Sequence, residues 1–323
     1  MQVAENNVRE IQSKRPRVIE MIYNHCRVMD LSRKTAKAYS HWVDRFSRFN
    51  DRRPLSEMGG EEIERFITHL AVDLDVASST QDQAFYALLF FYENIVKKEI
   101  GQINSKRATK PRKIPVVFTK EEAIAVRAHL SGLSWLQASL LHGCGLRIAE
   151  CLAMRVQDVD FGASMITVRS GKGDKDRTVM LPSSVVEPLQ RQINAVRGVY
   201  DQDQQNSIGV TLPRALARKY KNAPFEWKWF FVFPASRTTR ENPKLRHHTH
   251  ETVLQKHLRK AVSLAGINKK ATCHTFRHSF ATHLLMDGYD IRTVADLMGH
   301  RDIRTTMIYL HTIRNSKVRS PID

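Results

Sequence analysis

The sequence predicts a mainly α protein with a small β-hairpin (α+β class), divided into a helical N-terminal domain and a larger C-terminal domain. Three observations carry this. Apolar residues recur at three- and four-residue steps through much of the chain, a proline- and cation-rich stretch near residue 110 interrupts them, and one pair of β-prone runs flanks a glycine- and aspartate-rich turn. The 323 residues, 42% of them apolar, suffice for about two domains with a core each.

A weak helical stripe comes first, at Val18, Ile19, Ile22 and Cys26. Tyr39, Trp42, Val43, Phe46 and Phe49 form a stronger one, Ile63, Phe66, Ile67 and Leu70 another, and Phe85, Leu88, Leu89, Tyr92, Ile95 and Val96 a last. Ser78 followed by Gln81 has the form of a capping box and places a helix start there. These helices make a domain over residues 16–103. Arg33, Lys34, Lys37 and Arg45 lie along its second helix, followed by Arg48, Arg52 and Arg53, where they can line a phosphate backbone; the alternative is a solvated helix face.

Residues 104–116 contain SKRATKPRKIP, which has two prolines and no apolar period and so cannot bury a face. This basic linker, with Lys110, Arg112 and Lys113, reads as a segment that lies along DNA. The second domain, 117–323, opens with a capping box at Thr119 and Glu122. Met165 to Arg169 and Arg177 to Leu181 flank GKGDKD and predict a hairpin in otherwise helical surroundings.

Lys and Arg number 51 against 33 Asp and Glu, a net charge of +18, which attracts polyanions and makes nucleic acid the leading partner. Cys26, Cys144, Cys151 and Cys273 form no CxxC pair and are too few for a disulfide framework, so a reducing compartment is expected. Met1 to Arg15 lacks the apolar run of a signal peptide, and no stretch approaches the roughly 18 apolar residues of a membrane span. The expectation is a cytoplasmic protein without a membrane partner.

A reaction on a DNA phosphodiester needs cations for the non-bridging oxygens, a nucleophile and a proton donor for the departing oxygen. The second domain offers Arg147 in HGCGLRIAE, Lys172 at the hairpin tip, His274 and Arg277 in CHTFRHSFATHLL, His300 in LMGHRD and Tyr309 in TTMIYLH. From 274 onward these fall at gaps of 3, 23 and 9 residues. Arg147 and Arg277 present paired donors that match two phosphate oxygens and form the expected clamp. An ion pair between Arg147 and Glu150, one turn on, is a compatible reading. A free phenol has a pKa of roughly 10, so Tyr309 needs cations or a base, for which His274 is expected.

The order Arg, Lys, His-x-x-Arg, His, Tyr resembles the signature of the tyrosine recombinase (phage integrase) family, and the resemblance runs from about residue 16 to the end. It implies an N-terminal core-binding domain and a C-terminal catalytic domain. It also implies a 3′-phosphotyrosyl intermediate at Tyr309, protonation of the leaving 5′ oxygen by Lys172, a phosphate hydrogen bond from His300 and support of Arg147 by Glu150. Rejoining then needs no cofactor and no nucleotide, and no GxxxxGK[ST] loop is present. A metal site is not expected: His274 and His278 have zinc-motif spacing, but Thr275 stands where the glutamate belongs, and His247, His248 and His250 lack a completing carboxylate or cysteine cluster. His142 and His283 read as ordinary helix residues.

His274 follows Lys172 by 102 residues, long for the family, and the stretch includes an inserted segment near 205–245 with PRALARKYKNAPFEWKWFFVFPAS and then RHHTHETVLQKHLRKA. This resembles the integron integrases, which insert and excise gene cassettes and accept folded single strands with extrahelical bases. Trp227, Trp229, Phe230 and Phe231 among Lys219, Lys221 and Lys228, with His247 and His248 beyond, suit base stacking and backbone contact; a core strand with a basic edge is the alternative. The resemblance implies a homo-tetramer on DNA, acting on duplex sites and cassette-end hairpins. His142, Cys144 and Leu310 depart from the subfamily's usual residues. A phage or chromosome-dimer recombinase acting on duplex sites, and a non-catalytic DNA-binding protein, are the alternatives; the insert argues against the first and the complete residue set against the second.

Overall fold

The computed structural model describes residues 15–101, 115–169 and 176–317. Lys110, Arg112, Lys113 and Lys172 lie outside the described residues. The chain divides into two compact units, Met1–Arg112 and Lys113–Asp323.

In the first unit the apolar stripes become α1 (Arg15–Val28), α2 (Arg33–Phe49), α3 (Gly60–Val72) and α4 (Ser78–Phe91). They pack around Ile22, Phe46, Ile63, Phe66, Leu88 and Phe91. Two expectations are corrected. The Ser78–Gln81 capping box does not form: Ala77 occupies the cap position, Ser78 already lies in the first turn, and Gln81 instead donates from Nε2 to the Val76 carbonyl at 2.7 Å. The last stripe is not one α-helix, because Tyr92–Val96 continue α4 as a π-turn. That turn seats the Tyr92 ring in the core with its hydroxyl donating to the Leu55 carbonyl at 2.9 Å.

The second unit begins as expected. Thr119 accepts from the Glu122 amide at 3.1 Å and Glu122 accepts from the Thr119 amide at 2.8 Å, starting α5 (Lys120–Ala128). It is followed by α6 (Gly132–Gly143), α7 (Ile148–Leu152), and strands β1 (Val159–Asp160), β2 (Met165–Val168) and β3 (Arg177–Met180). Strands β2 and β3 form the expected hairpin, with Met165 opposite Met180 and Val168 opposite Arg177, and β1 adds a third antiparallel strand. After α8 (Ser183–Gln205) the inserted segment folds as β4 (Gly209–Val210), α9 (Arg214–Lys219), β5 (Pro234–Thr238) and β6 (Leu245–His248). Its sheet has the order β4-β6-β5, parallel then antiparallel, and a buried ion pair from Arg246 to Asp203 ties it to the end of α8. Helices α10 (Glu251–Leu264), α11 (Cys273–Met286), α12 (Ile291–Met298) and α13 (Arg304–Lys317) complete the unit. The last helix runs through His311 to Lys317.

Helix α11 is the central element: Phe276 on one side enters the main core, while Phe280 and Leu285 enter a second cluster with Val294, Met298 and Tyr309. It thereby fixes His274, Arg277 and His278 relative to α12 and α13. Among the described residues no helix is long and apolar enough to cross a membrane.

Candidate active site

Glu150 organises the site. It is the third residue of α7 and reaches back to the helix start, where the Arg147 amide donates to Oε2 at 2.8 Å and Arg147 Nη1 to Oε1 at 2.6 Å. From β3, Arg177 grips the same carboxylate with Nη1 at 3.1 Å and Nη2 at 2.7 Å, and Arg277 from α11 stands 3.7 Å away. Burial would raise the Glu150 carboxyl, but hydrogen bonds and charge from Arg177 and then Arg147 overcome it and hold the group at about 2. Three guanidiniums against one carboxylate leave a net positive pocket, which is what a phosphate requires.

Two glycines make this convergence possible. Gly145 has a left-handed φ of +62°, its carbonyl accepts from Arg277 Nη1, and a Cβ there would meet the Phe280 ring at 2.4 Å. Gly299 closes α12 at φ +61°, and a Cβ there would meet Arg177 Nη1 at 2.9 Å. Arg277 also donates to the Met298 carbonyl and approaches His300 Nε2 at 3.4 Å. Burial and the neighbouring arginines push its pKa down to about 9, so it stays cationic at neutral pH. His300 Nδ1 lies 2.8 Å from the buried Thr306 hydroxyl, and its Nε2 faces Arg277.

Tyr309 is 2% exposed, and its hydroxyl lies 2.8 Å from His278 Nδ1. Here the structure departs from expectation. The base was expected at His274, yet His274 is exposed one helical turn before His278, with their ring centroids 6.4 Å apart, and it is His278 that meets the phenol. In the sequence His278 stood out only as half of an incomplete zinc motif; its place one turn after His274 and beside Arg277 was the available signal. Arg177 carries no such signal in the sequence, where it falls in a β-prone run. Burial raises the Tyr309 phenol above its usual value, while Arg277 and Arg147 pull it back.

Burial, followed by neighbouring positive or titratable groups, drives His142, His278 and His300 each down to about 4. Each therefore titrates lower folded than unfolded, and its contribution to stability is complete above pH 6.5 and lost as pH falls towards 4. The thermal midpoint should drop across that window in addition to any carboxylate effect below it. A midpoint flat from pH 6.5 to 4 would show that these imidazoles accept protons in the native state.

The DNA-binding candidates fall into distinct settings. Arg33, Lys34 and Lys37 occupy the first turns of α2 and are exposed, and Arg45 lies 4.9 Å over the Trp42 ring. The aromatic run divides: Phe230 and Phe231 are core residues, whereas Trp229 is half-buried. Trp229 and His248 line a cleft of about 540 Å³ together with Glu150, Arg155 and Arg169. His247 lies edge to face with Phe231 and 3.9 Å from the His248 ring centroid, and its Nδ1 is 2.7 Å from the Thr211 hydroxyl. Lys219 ends α9, exposed, with its ammonium 5.3 Å over the Tyr220 ring. Among the described residues no group of three or more His, Cys, Asp or Glu has metal-holding geometry.

Residues 97–315 match the phage integrase family, and residues 18–102 match the N-terminal SAM-like domain of phage integrases. The chain belongs to the phage integrase family. An integrase/recombinase of Escherichia coli is 43% identical over 315 residues, covering 95% of this chain and 93% of the relative. A tyrosine recombinase of Thermosipho africanus is 28% identical over 316 residues, covering 93% and 97%. In fold, the chain is similar to the XerH site-specific recombinase bound to its difH substrate, with a TM-score of 0.62, 17% identity and coverage of 93% of this chain and 83% of that one. The second unit is thus a tyrosine recombinase catalytic domain, and the protein is a site-specific recombinase that acts on DNA.

Proposed function

We propose that this recombinase is an integron-type integrase that inserts and excises gene cassettes through a 3′-phosphotyrosyl intermediate at Tyr309. Arg147 and Arg277 clamp the scissile phosphate, His300 hydrogen-bonds it, Glu150 orients the arginines, and Lys172 protonates the departing 5′ oxygen. The phosphodiester energy is retained in the tyrosyl link, so rejoining draws on no nucleotide. Four protomers act together on DNA, with Arg33, Lys34, Lys37, Arg45, Lys110, Arg112, Lys113 and Lys219 on backbone phosphates. The first turns of α2 support this role, because Arg33, Lys34 and Lys37 are exposed together there.

The observation that carries the integron reading is the cleft shared by Trp229, His248 and Glu150. It sets an indole from the inserted segment and an imidazole from just beyond it beside the proposed phosphate-binding hub, where a base already outside its helix can stack. Such stacking is worth on the order of 1 to 3 kcal/mol. Trp229→Ala should therefore weaken binding to a hairpin with extrahelical bases by about one to two powers of ten, with little effect on a paired duplex, at one fixed salt concentration. Equal losses on both substrates would favour the duplex-only recombinase and assign Trp229 to the packing of Arg155, which lies 5.7 Å from its ring.

Lys172→Ala should slow cleavage of ordinary DNA far more than cleavage of DNA carrying a 5′-phosphorothiolate at the scissile bond. Sulfur departs without a proton. Equal defects on the two substrates would make Lys172 a positioning residue.

A further inference from the structure

We propose that His278 is the base that accepts the Tyr309 proton. The proposal rests on the reading of Tyr309 as nucleophile and deepens it by naming a residue that sequence order alone does not single out.

The geometry assigns this role. His278 Nδ1 is 2.8 Å from the phenolic oxygen, within the range at which a proton transfers directly, and the ring centroids are 5.6 Å apart. With Nε2 carrying the ring proton, Nδ1 is an acceptor and the Tyr309 hydroxyl donates to it. The two side chains come from α11 and α13, which share the packed cluster of Phe280, Leu285, Val294 and Met298, so their register is set by the core. His274, by contrast, is exposed.

The surroundings of His278 supply a control on timing. His274 and Arg277 face it from its own helix, Tyr309 from α13, and His300 from beyond the end of α12. In the DNA-free chain burial, then the charges of His274 and Arg277, hold it at about 4, so the imidazole is neutral and the phenol keeps its proton. A phosphodiester bound at Arg147 and Arg277 brings a negative charge that offsets the arginine field, and His278 becomes a stronger base as the substrate arrives. The proton then moves from Oη to Nδ1, the Oη–P bond forms, and the P–O5′ bond breaks with its oxygen protonated by the general acid. On rejoining, the 5′ hydroxyl attacks phosphorus, Oη leaves, and the imidazolium returns the proton to it.

The test is single-turnover formation of the covalent adduct by the full-length protein on a nicked suicide substrate. Removing a general base costs roughly 10² to 10⁴ in rate. His278→Ala and His278→Gln should both slow adduct formation by at least about 10², with DNA affinity within about twofold of wild type. The glutamine keeps a hydrogen-bond acceptor of similar reach but cannot take a proton, and it serves as the measurable variant if the alanine chain does not fold. Added imidazole should restore part of the His278→Ala rate, and a more acidic fluorotyrosine at position 309 should shrink the defect. A wild-type rate in His278→Gln would reduce His278 to a hydrogen-bonding anchor. A faster rate in His278→Ala would make it a restraint on the nucleophile, and imidazole rescue of His274→Ala but not His278→Ala would return the role to His274. Each of these overturns the proposal. An adduct formed by Tyr309→Phe would instead refute the nucleophile assignment beneath it.

Discussion

Tyr309→Phe should bind DNA with the affinity of the parent chain and form no covalent protein–DNA adduct. The ring sits in the α11–α13 cluster with Phe280, Val294 and Met298, and phenylalanine fills the same space. The substitution removes one oxygen. In the proposed mechanism that oxygen carries the whole of the covalent chemistry, so the expected loss is complete rather than graded, whereas the proposed phosphate contacts of Arg147 and Arg277 would remain. The partner it leaves, His278, is only partly buried, and water can take the vacated hydrogen bond. Denaturing gel electrophoresis after incubation with a nicked site checks this directly. A retarded phosphotyrosyl band from the variant would place the nucleophile on another residue.

The two observations that make this expectation possible differ in how far the sequence reveals them. His274 and Arg277 lie one turn apart on α11, His300 follows the end of α12 and Tyr309 lies on α13, so these residues come within a short stretch of chain and its order exposes them. Local signals also mark the Thr119 cap and the β2–β3 hairpin. Contacts created by packing are hidden. His278 meets Tyr309 across 31 residues only because α11 lies against α13, and Arg177 reaches Glu150 across 27 residues only because β3 is paired with β2. The sheet of the inserted segment was equally illegible, since a two-residue strand such as β4 has no alternation to detect and pairs in parallel with β6, far along the chain. The Ser78 cap failed by a single position. A cap depends on the dihedral angles of one residue, and the sequence pattern does not decide between Ala77 and Ser78.

The second large effect is expected at Glu150, which touches no substrate in this reading. Its carboxylate is 9% exposed in side-chain terms and is the counter-charge for Arg147, Arg177 and Arg277 together. Removing one member of a buried ionic group typically costs about 3 to 5 kcal/mol, because the remaining charges stay buried without compensation. Glu150→Ala should lose stability of that order, since the guanidiniums then repel one another and the Arg147 amide at the start of α7 loses its acceptor. Glu150→Gln, which keeps one acceptor oxygen, should lose less. The same network predicts a pH signature: the folded pKa of about 2 lies below the ordinary carboxyl value of 4.5, so the stabilisation is complete above pH 4.5 and vanishes as pH falls towards 2. In the variants that limb of the acid-unfolding curve should be absent. Anions provide the discriminating control, because an uncompensated arginine cluster is a stronger anion site than a compensated one. Sulfate at tens of millimolar should therefore raise the thermal midpoint of Glu150→Ala more than that of the parent, by mass action on the folded state. The adduct rate should stay low even then, because sulfate restores charge balance but not the bidentate hold that orients Arg147 and Arg177. If sulfate stabilises parent and variant equally, the three arginines do not act as one electrostatic unit, and Glu150 is only the N-terminal cap of α7.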